Sequence, residues 1–233
     1  MDAMIISIIE TIGIIAFAIS GSMVAIDKGM DLFGVVFLGM TTCFGGGIIR
    51  DVILGRMPLF FTSMWLHVAL AFVFSVVTFI IALVFRRGYL RNEERVLSVI
   101  NYIDALGIGA FTISGIKVCV ETFSEYGAFL AILMGTLTAV GGGMIRDICL
   151  RTVPFIFRKR IYVIASLSGG IVYYVLTTVF KKGVFTEVLF CTVGILTVFV
   201  IRVLATVFKW NLPRAVTAME SDEPEEEKEK LNV

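Results

Sequence analysis

Two segments of this chain set an arginine and an aspartate three residues after a run of three glycines. They are Gly45-Gly46-Gly47-Ile48-Ile49-Arg50-Asp51 and Gly141-Gly142-Gly143-Met144-Ile145-Arg146-Asp147, and Pro58 and Pro154 each follow the last glycine by eleven residues. Both copies lie in apolar stretches, where a charge costs about 3 kcal/mol and is kept for a polar cavity, a partner or a pathway. Each glycine weakens a helix by about 1 kcal/mol relative to alanine, in surroundings where lipid offers the backbone no other hydrogen-bond partner. The pattern predicts a kink or break near the bilayer midplane whose opened carbonyls face a polar cavity, made twice. That chemistry suits a conduit for ions. The competing reading is that the glycines only let helices approach closely.

Neighbouring residues on a helix point about 100° apart, so Arg50 and Asp51 are expected to find partners elsewhere: Asp147 and Arg146 of the other copy, or freed carbonyls. Static ion pairs that lock the two halves are the alternative. Lys117, whose repeat counterpart is Met23, is expected either to snorkel at the outer end of its span or to line one vestibule. Arg202, near the end of the last span, is expected to snorkel. Glu10 and Asp104 occupy matching places and are expected to cap or pair at opposite faces, while Ser20 and Ser114 read as polar contacts between helices.

Catalytic constellations do not emerge. His67 is the single histidine, which excludes a zinc site of the HExxH type and leaves no convincing Ser-His-Asp arrangement. No phosphate-binding P-loop occurs, and the cysteines, Cys43, Cys119, Cys149 and Cys191, lack CxxC spacing and read as buried small hydrophobes. Neither an enzyme nor a nucleic-acid partner is expected, and no cofactor or metal.

The elements that must carry these residues follow from hydropathy. With 58% hydrophobic residues among 233 and a mean hydropathy of +0.96, the chain reads as an all-α integral membrane protein. Seven apolar runs of spanning length fall at about 4–26, 32–57, 64–85, 96–120, 126–150, 161–180 and 186–208. The first follows Met1-Asp2 without a basic stretch and reads as a retained helix rather than a signal peptide.

The repeat is longer than the glycine motif. Residues 10–21 align with 104–115, and nine of the seventeen residues from Gly45 to Phe61 are identical to those from Gly141 to Phe157. Each copy holds three spans, an odd number, so the second copy enters from the opposite side and the halves form an inverted repeat. The expected layout is a first three-helix repeat over 1–90, an inverted second over 91–183, a seventh helix over 184–210 and an acidic, disordered cytoplasmic tail over 211–233.

Eleven basic residues lie in loops of one face, from Lys28 and Arg86 to Lys209 and Arg214, against Arg56, Lys181 and Lys182 on the other. The basic face is therefore cytoplasmic, with the N-terminus outside and the C-terminus inside the cell membrane. The tail from Met219 carries a net charge of −5, which leaves +6 on the remainder.

The doubled Gly-Gly-Gly-x-Ile-Arg-Asp with its following proline resembles the prokaryotic branch of the trimeric intracellular cation channel (TRIC) family, also described as a glycine-transporter-like domain family. The resemblance implies a homotrimer whose subunits each enclose a pore, with the second and fifth spans kinked at Gly45 to Gly47 and Gly141 to Gly143. It implies permeation by monovalent cations, chiefly potassium, past Arg50, Asp51, Arg146 and Asp147, with transported potassium or sodium and membrane lipid as the associated small molecules. A secondary transporter of a small solute such as glycine competes with it, since broken helices and inverted repeats suit both.

Overall fold

A computed structural model of the chain describes residues 2–62, 65–85, 93–123, 127–158, 161–180, 183–208 and 210. Among these, the regular structure is helical throughout: α1 (Asp2–Asp27), α2 (Leu32–Ile53), α3 (Leu59–Thr62), α4 (Trp65–Val84), α5 (Glu93–Thr122), α6 (Ala128–Cys149), α7 (Phe155–Arg158), α8 (Ile161–Val179) and α9 (Val184–Val207). All but the single-turn α3 and α7 are long and apolar enough to cross a membrane, so the chain is a seven-helix integral membrane protein. The acidic tail and most of the basic loop residues lie outside the described residues, among them Arg86, Arg87, Arg91, Lys159, Arg160, Lys181, Lys182, Lys209 and Arg214.

The second span ends earlier than hydropathy suggested. Asp31 caps its start by accepting a hydrogen bond from Gly34 N at 2.8 Å. Its end comes at Ile53 because Gly55 turns the chain with φ +69°. The equivalent turn after α6 is made by Arg151 at φ +54°, a conformation that costs a side chain about 1 kcal/mol or more.

Helices α1, α2, α5 and α6 form the centre. In α1, α5 and α6 just over half of the membrane window is buried, against 11% in α4, so α4 is mostly an outer helix. Repeat-equivalent helices meet in the middle and run antiparallel. Ser20 of α1 contacts Asp104 of α5, while Glu10 contacts Ser114. Between them Phe17 and Phe111 pack with ring centroids 5.1 Å apart, within a core that also holds Ile14, Cys43, Phe44, Ile108, Val140 and Val198.

The outer surface is apolar instead of charged: Phe72, Val77, Ile80 and Ile81 of α4 and Phe185, Leu189, Leu196 and Val200 of α9 are exposed. Apolar groups outside and ion pairs inside are what a lipid solvent selects. Cys43, Cys119 and Cys191 are buried as expected, whereas Cys149 is exposed.

Candidate functional site

The glycine triplets mark a helix crossing, not a break. Helix α2 continues without interruption through Gly45, Gly46 and Gly47, and α6 through Gly141, Gly142 and Gly143. Because hydrocarbon supplies no competing partner, the helical hydrogen bonds persist despite three poor helix formers in a row. The crossing is backbone against backbone. A Cβ on Gly46 would overlap the carbonyl oxygen of Thr138, and one on Gly142 would overlap that of Thr42. Gly45 and Gly141 join the same contact from either side, facing Gly142 and Gly46. The third glycines face elsewhere: Gly47 toward Arg50 and Gly143 toward the hydroxyl of Tyr162.

One turn beyond the crossing, each copy builds a buried charge chamber. Arg50, 4% exposed, donates from Nε to Asp51 Oδ1 at 2.9 Å and approaches Glu10 Oε1 with Nη1 at 4.0 Å. Ser114, from the other repeat, donates to the same Glu10 oxygen at 2.8 Å. Arg56 closes the far side, with Nε 3.7 Å from Asp51 Oδ1 and Nη1 donating to Thr122 Oγ1 at 3.1 Å. A cavity of about 30 Å³ remains among Glu10, Gly47, Arg50, Asp51 and Phe60, room for a water molecule or two with several polar partners.

The second chamber repeats the plan with one change of source. Fully buried Arg146 donates from Nε to Asp147 Oδ1 at 2.8 Å and reaches Asp104 Oδ1 at 3.9 Å. Ser20 donates to that oxygen at 3.3 Å. Here the additional cation is Arg202 of α9, with Nη2 3.6 Å from Asp104 Oδ2 and its guanidinium 4.6 Å over the Tyr162 ring. A wider vestibule of about 200 Å³ lies beside this chamber, between Asp27, Lys28, Asn101, Asp147 and Thr152.

Expectations for the charged residues change as well. Adjacent arginine and aspartate do pair, because an arginine is long enough to fold back across the angle that separates the two Cα–Cβ directions. Arg50 and Arg146 also pair with Glu10 and Asp104, on the first helix of the same repeat. Arg202 does not snorkel; it is 3% exposed and turned inward.

Lys117 neither snorkels nor lines the cavity or the vestibule. Its Nζ sits 2.6 Å from Glu187 Oε1, which also accepts from the Tyr173 hydroxyl at 2.8 Å, and both charged residues are buried. Sequence reasoning passed over Glu187, although a lone acid in the first turn of an apolar span was a legible signal. Arg56 was counted only as a loop charge. Ser20 and Ser114 make the helix–helix contacts expected of them, and Glu10 and Asp104, expected to cap or pair at opposite faces, face Arg50 and Arg146 in the two chambers.

A family model described as Glycine transporter matches residues 7–82 and 101–178, the segments that contain both chambers apart from Arg202. The chain belongs to that family. Helix α9, which supplies Glu187 and Arg202, lies beyond the matched segments of the Glycine transporter model.

Among curated relatives, the UPF0126 inner membrane protein YadS of Escherichia coli (strain K12) is 34% identical over 214 residues, covering 92% of this chain and 97% of the relative. The UPF0126 membrane protein YvgT of Bacillus subtilis (strain 168) is 32% identical over 206 residues, 88% of this chain and 94% of its own length. Solved structures agree with the fold. A TRIC cation channel studied for its conductance superposes with a TM-score of 0.75 at 36% identity, covering 91% of this chain and 97% of that one. A prokaryotic TRIC channel crystallised in 0.5 M KCl gives 0.77 at 30% identity, with 90% and 100% covered. The TRIC trimeric intracellular cation channel orthologue from Rhodobacter sphaeroides gives 0.76 at 30%, with 88% and 98% covered.

Proposed function

We propose that this protein is a cation channel, not an enzyme, that passes monovalent cations, chiefly potassium, through a pore inside each subunit of a homotrimer. The observation that carries the reading is the pair of buried chambers, Glu10-Arg50-Asp51 and Asp104-Arg146-Asp147, on either side of the Gly46–Gly142 crossing. Carboxylates there could replace part of an ion's hydration shell, while the arginines keep the binding shallow enough for release. Likeness to solved TRIC cation channels at 30–36% identity over about nine tenths of the chain supports the same reading. The path runs past the third glycines, Gly47 and Gly143. The sequence repeats are inverted in the membrane of the cell, with the N-terminus outside and the C-terminus in the cytoplasm. Lipid fills the surfaces between subunits.

Purified protein in planar bilayers tests this: discrete potassium currents are expected. A second reading, a secondary transporter of a small solute such as glycine, draws on the Glycine transporter description of the family model. Silent bilayers together with glycine uptake into proteoliposomes would favour it over the channel.

A further inference from the structure

The two mouths of the pathway have the same backbone and different side chains. After α2, the amide of Arg56 donates to Asp51 O at 2.9 Å; after α6, the amide of Thr152 donates to Asp147 O at 3.0 Å. The preceding residues, Gly55 and Arg151, share a left-handed conformation at φ +69° and +54°. The turns are therefore equivalent, and what leaves them differs. From the first, Arg56 reaches back over Asp51 and across to Thr122 on α5, with its side chain 28% exposed. From the second, Thr152 turns its hydroxyl onto Asp147 O at 3.2 Å and, among the described residues, makes no side-chain bond across the mouth. The residue opposite Thr152, at the repeat position of Thr122, is Lys28. It borders the vestibule of about 200 Å³ beside Asp147.

From this asymmetry we infer that Arg56 is a gate: it closes the mouth at the Asp51 end, a guanidinium tethered where a permeating cation would pass, while the Thr152 mouth is open in the same state. The inference rests on the reading of the protein as a cation conduit and adds to it which mouth is shut and by which side chain. The closure is releasable. One contact is an ion pair beyond hydrogen-bond length and the other is a single bond to a hydroxyl, both partly in reach of water, which makes them weak. A like charge at a narrow mouth also repels the ion that would enter, so a displaced Arg56 removes both a plug and a barrier.

The test uses the full chain with Arg56→Thr, Arg56→Lys, Thr152→Arg and the double exchange, each first checked for monodisperse elution. In planar bilayers Arg56→Thr should raise potassium current by about fivefold, the weight of one such weak contact pair in a two-state equilibrium. Thr152→Arg should lower it by a similar factor, and Arg56→Lys should stay near the parent. A second readout does not depend on conduction. In a Cys149→Ser background, Ile48→Cys places a thiol in the cavity beside Asp51, and its reaction with a membrane-impermeant, positively charged methanethiosulfonate should accelerate when Arg56 becomes Thr. Unchanged current and unchanged thiol reactivity in Arg56→Thr would overturn the gate and leave the channel reading standing. If no variant conducts, the channel reading falls, and the thiol rates still decide whether Arg56 shuts this mouth.

Discussion

An ion pair in lipid is judged by what happens when half of it is removed. Lys117 and Glu187 are both buried and 2.6 Å apart. Glu187→Gln therefore strands an ammonium and is expected to lower stability by about 3 kcal/mol, read as reversible unfolding in detergent. Adding Lys117→Met, the side chain found at the repeat position 23, should recover most of that loss, because no unpaired charge is left. The sequence marked Lys117 as odd through its apolar counterpart but did not supply the partner, which sits seventy residues later on a helix outside the repeat. Arg50 and Asp51 were visible for the same reason of cost. Their direct bond was not, since helical periodicity fixes where a side chain starts and not where a long one ends.

At the scale of helices, the two glycine triplets divide their labour. Gly46→Ala or Gly142→Ala forces a methyl into a carbonyl oxygen of the opposite helix, which cannot yield without parting α2 from α6. A loss of roughly 1 to 3 kcal/mol is expected for either. Gly47→Ala has open space except for the Arg50 guanidinium at 3.8 Å, and alanine's helix preference should make it neutral or mildly stabilising by up to about 1 kcal/mol. Thermal melting of the three variants side by side checks the division. The sequence disclosed the triplets and both of their possible uses, packing and bending. It could not rank them, because the choice depends on a carbonyl three residues before the first glycine of the other helix's triplet, a contact between chain segments almost a hundred residues apart. A further consequence concerns the turn after α6: Arg151→Gly should stabilise by about 0.5 to 1 kcal/mol, since Arg151 holds a left-handed conformation that Gly55 adopts without strain.

For the whole molecule, hydropathy placed the seven spans within a few residues of the observed helices, with α2 shortened by the Gly55 turn. Lipid leaves few alternatives to a helix of spanning length, which is why that level was legible. How the spans pack was less so, and the role of the seventh least of all. It contributes Glu187 to Lys117 and Arg202 to Asp104, so it is fastened to the second repeat by charge as well as by packing. Assembly makes a separate prediction. Protein in detergent, corrected for bound detergent, should scatter light with a protein mass about three times 25.7 kDa, and a mass near 25.7 kDa would remove the trimer while leaving the intrasubunit pore untouched.

The ion pairs described above join five basic residues, Arg50, Arg56, Lys117, Arg146 and Arg202, to five acids, Glu10, Asp51, Asp104, Asp147 and Glu187. Held together, these ten charges sum to zero, so a voltage across the bilayer exerts no net pull on that paired set as a rigid body. Its work, about 2.3 kcal/mol per elementary charge per 100 mV, falls on whatever shifts relative to that neutral frame. A translocating ion is one such object, and a lone side chain swinging out of register with its counterion is the other.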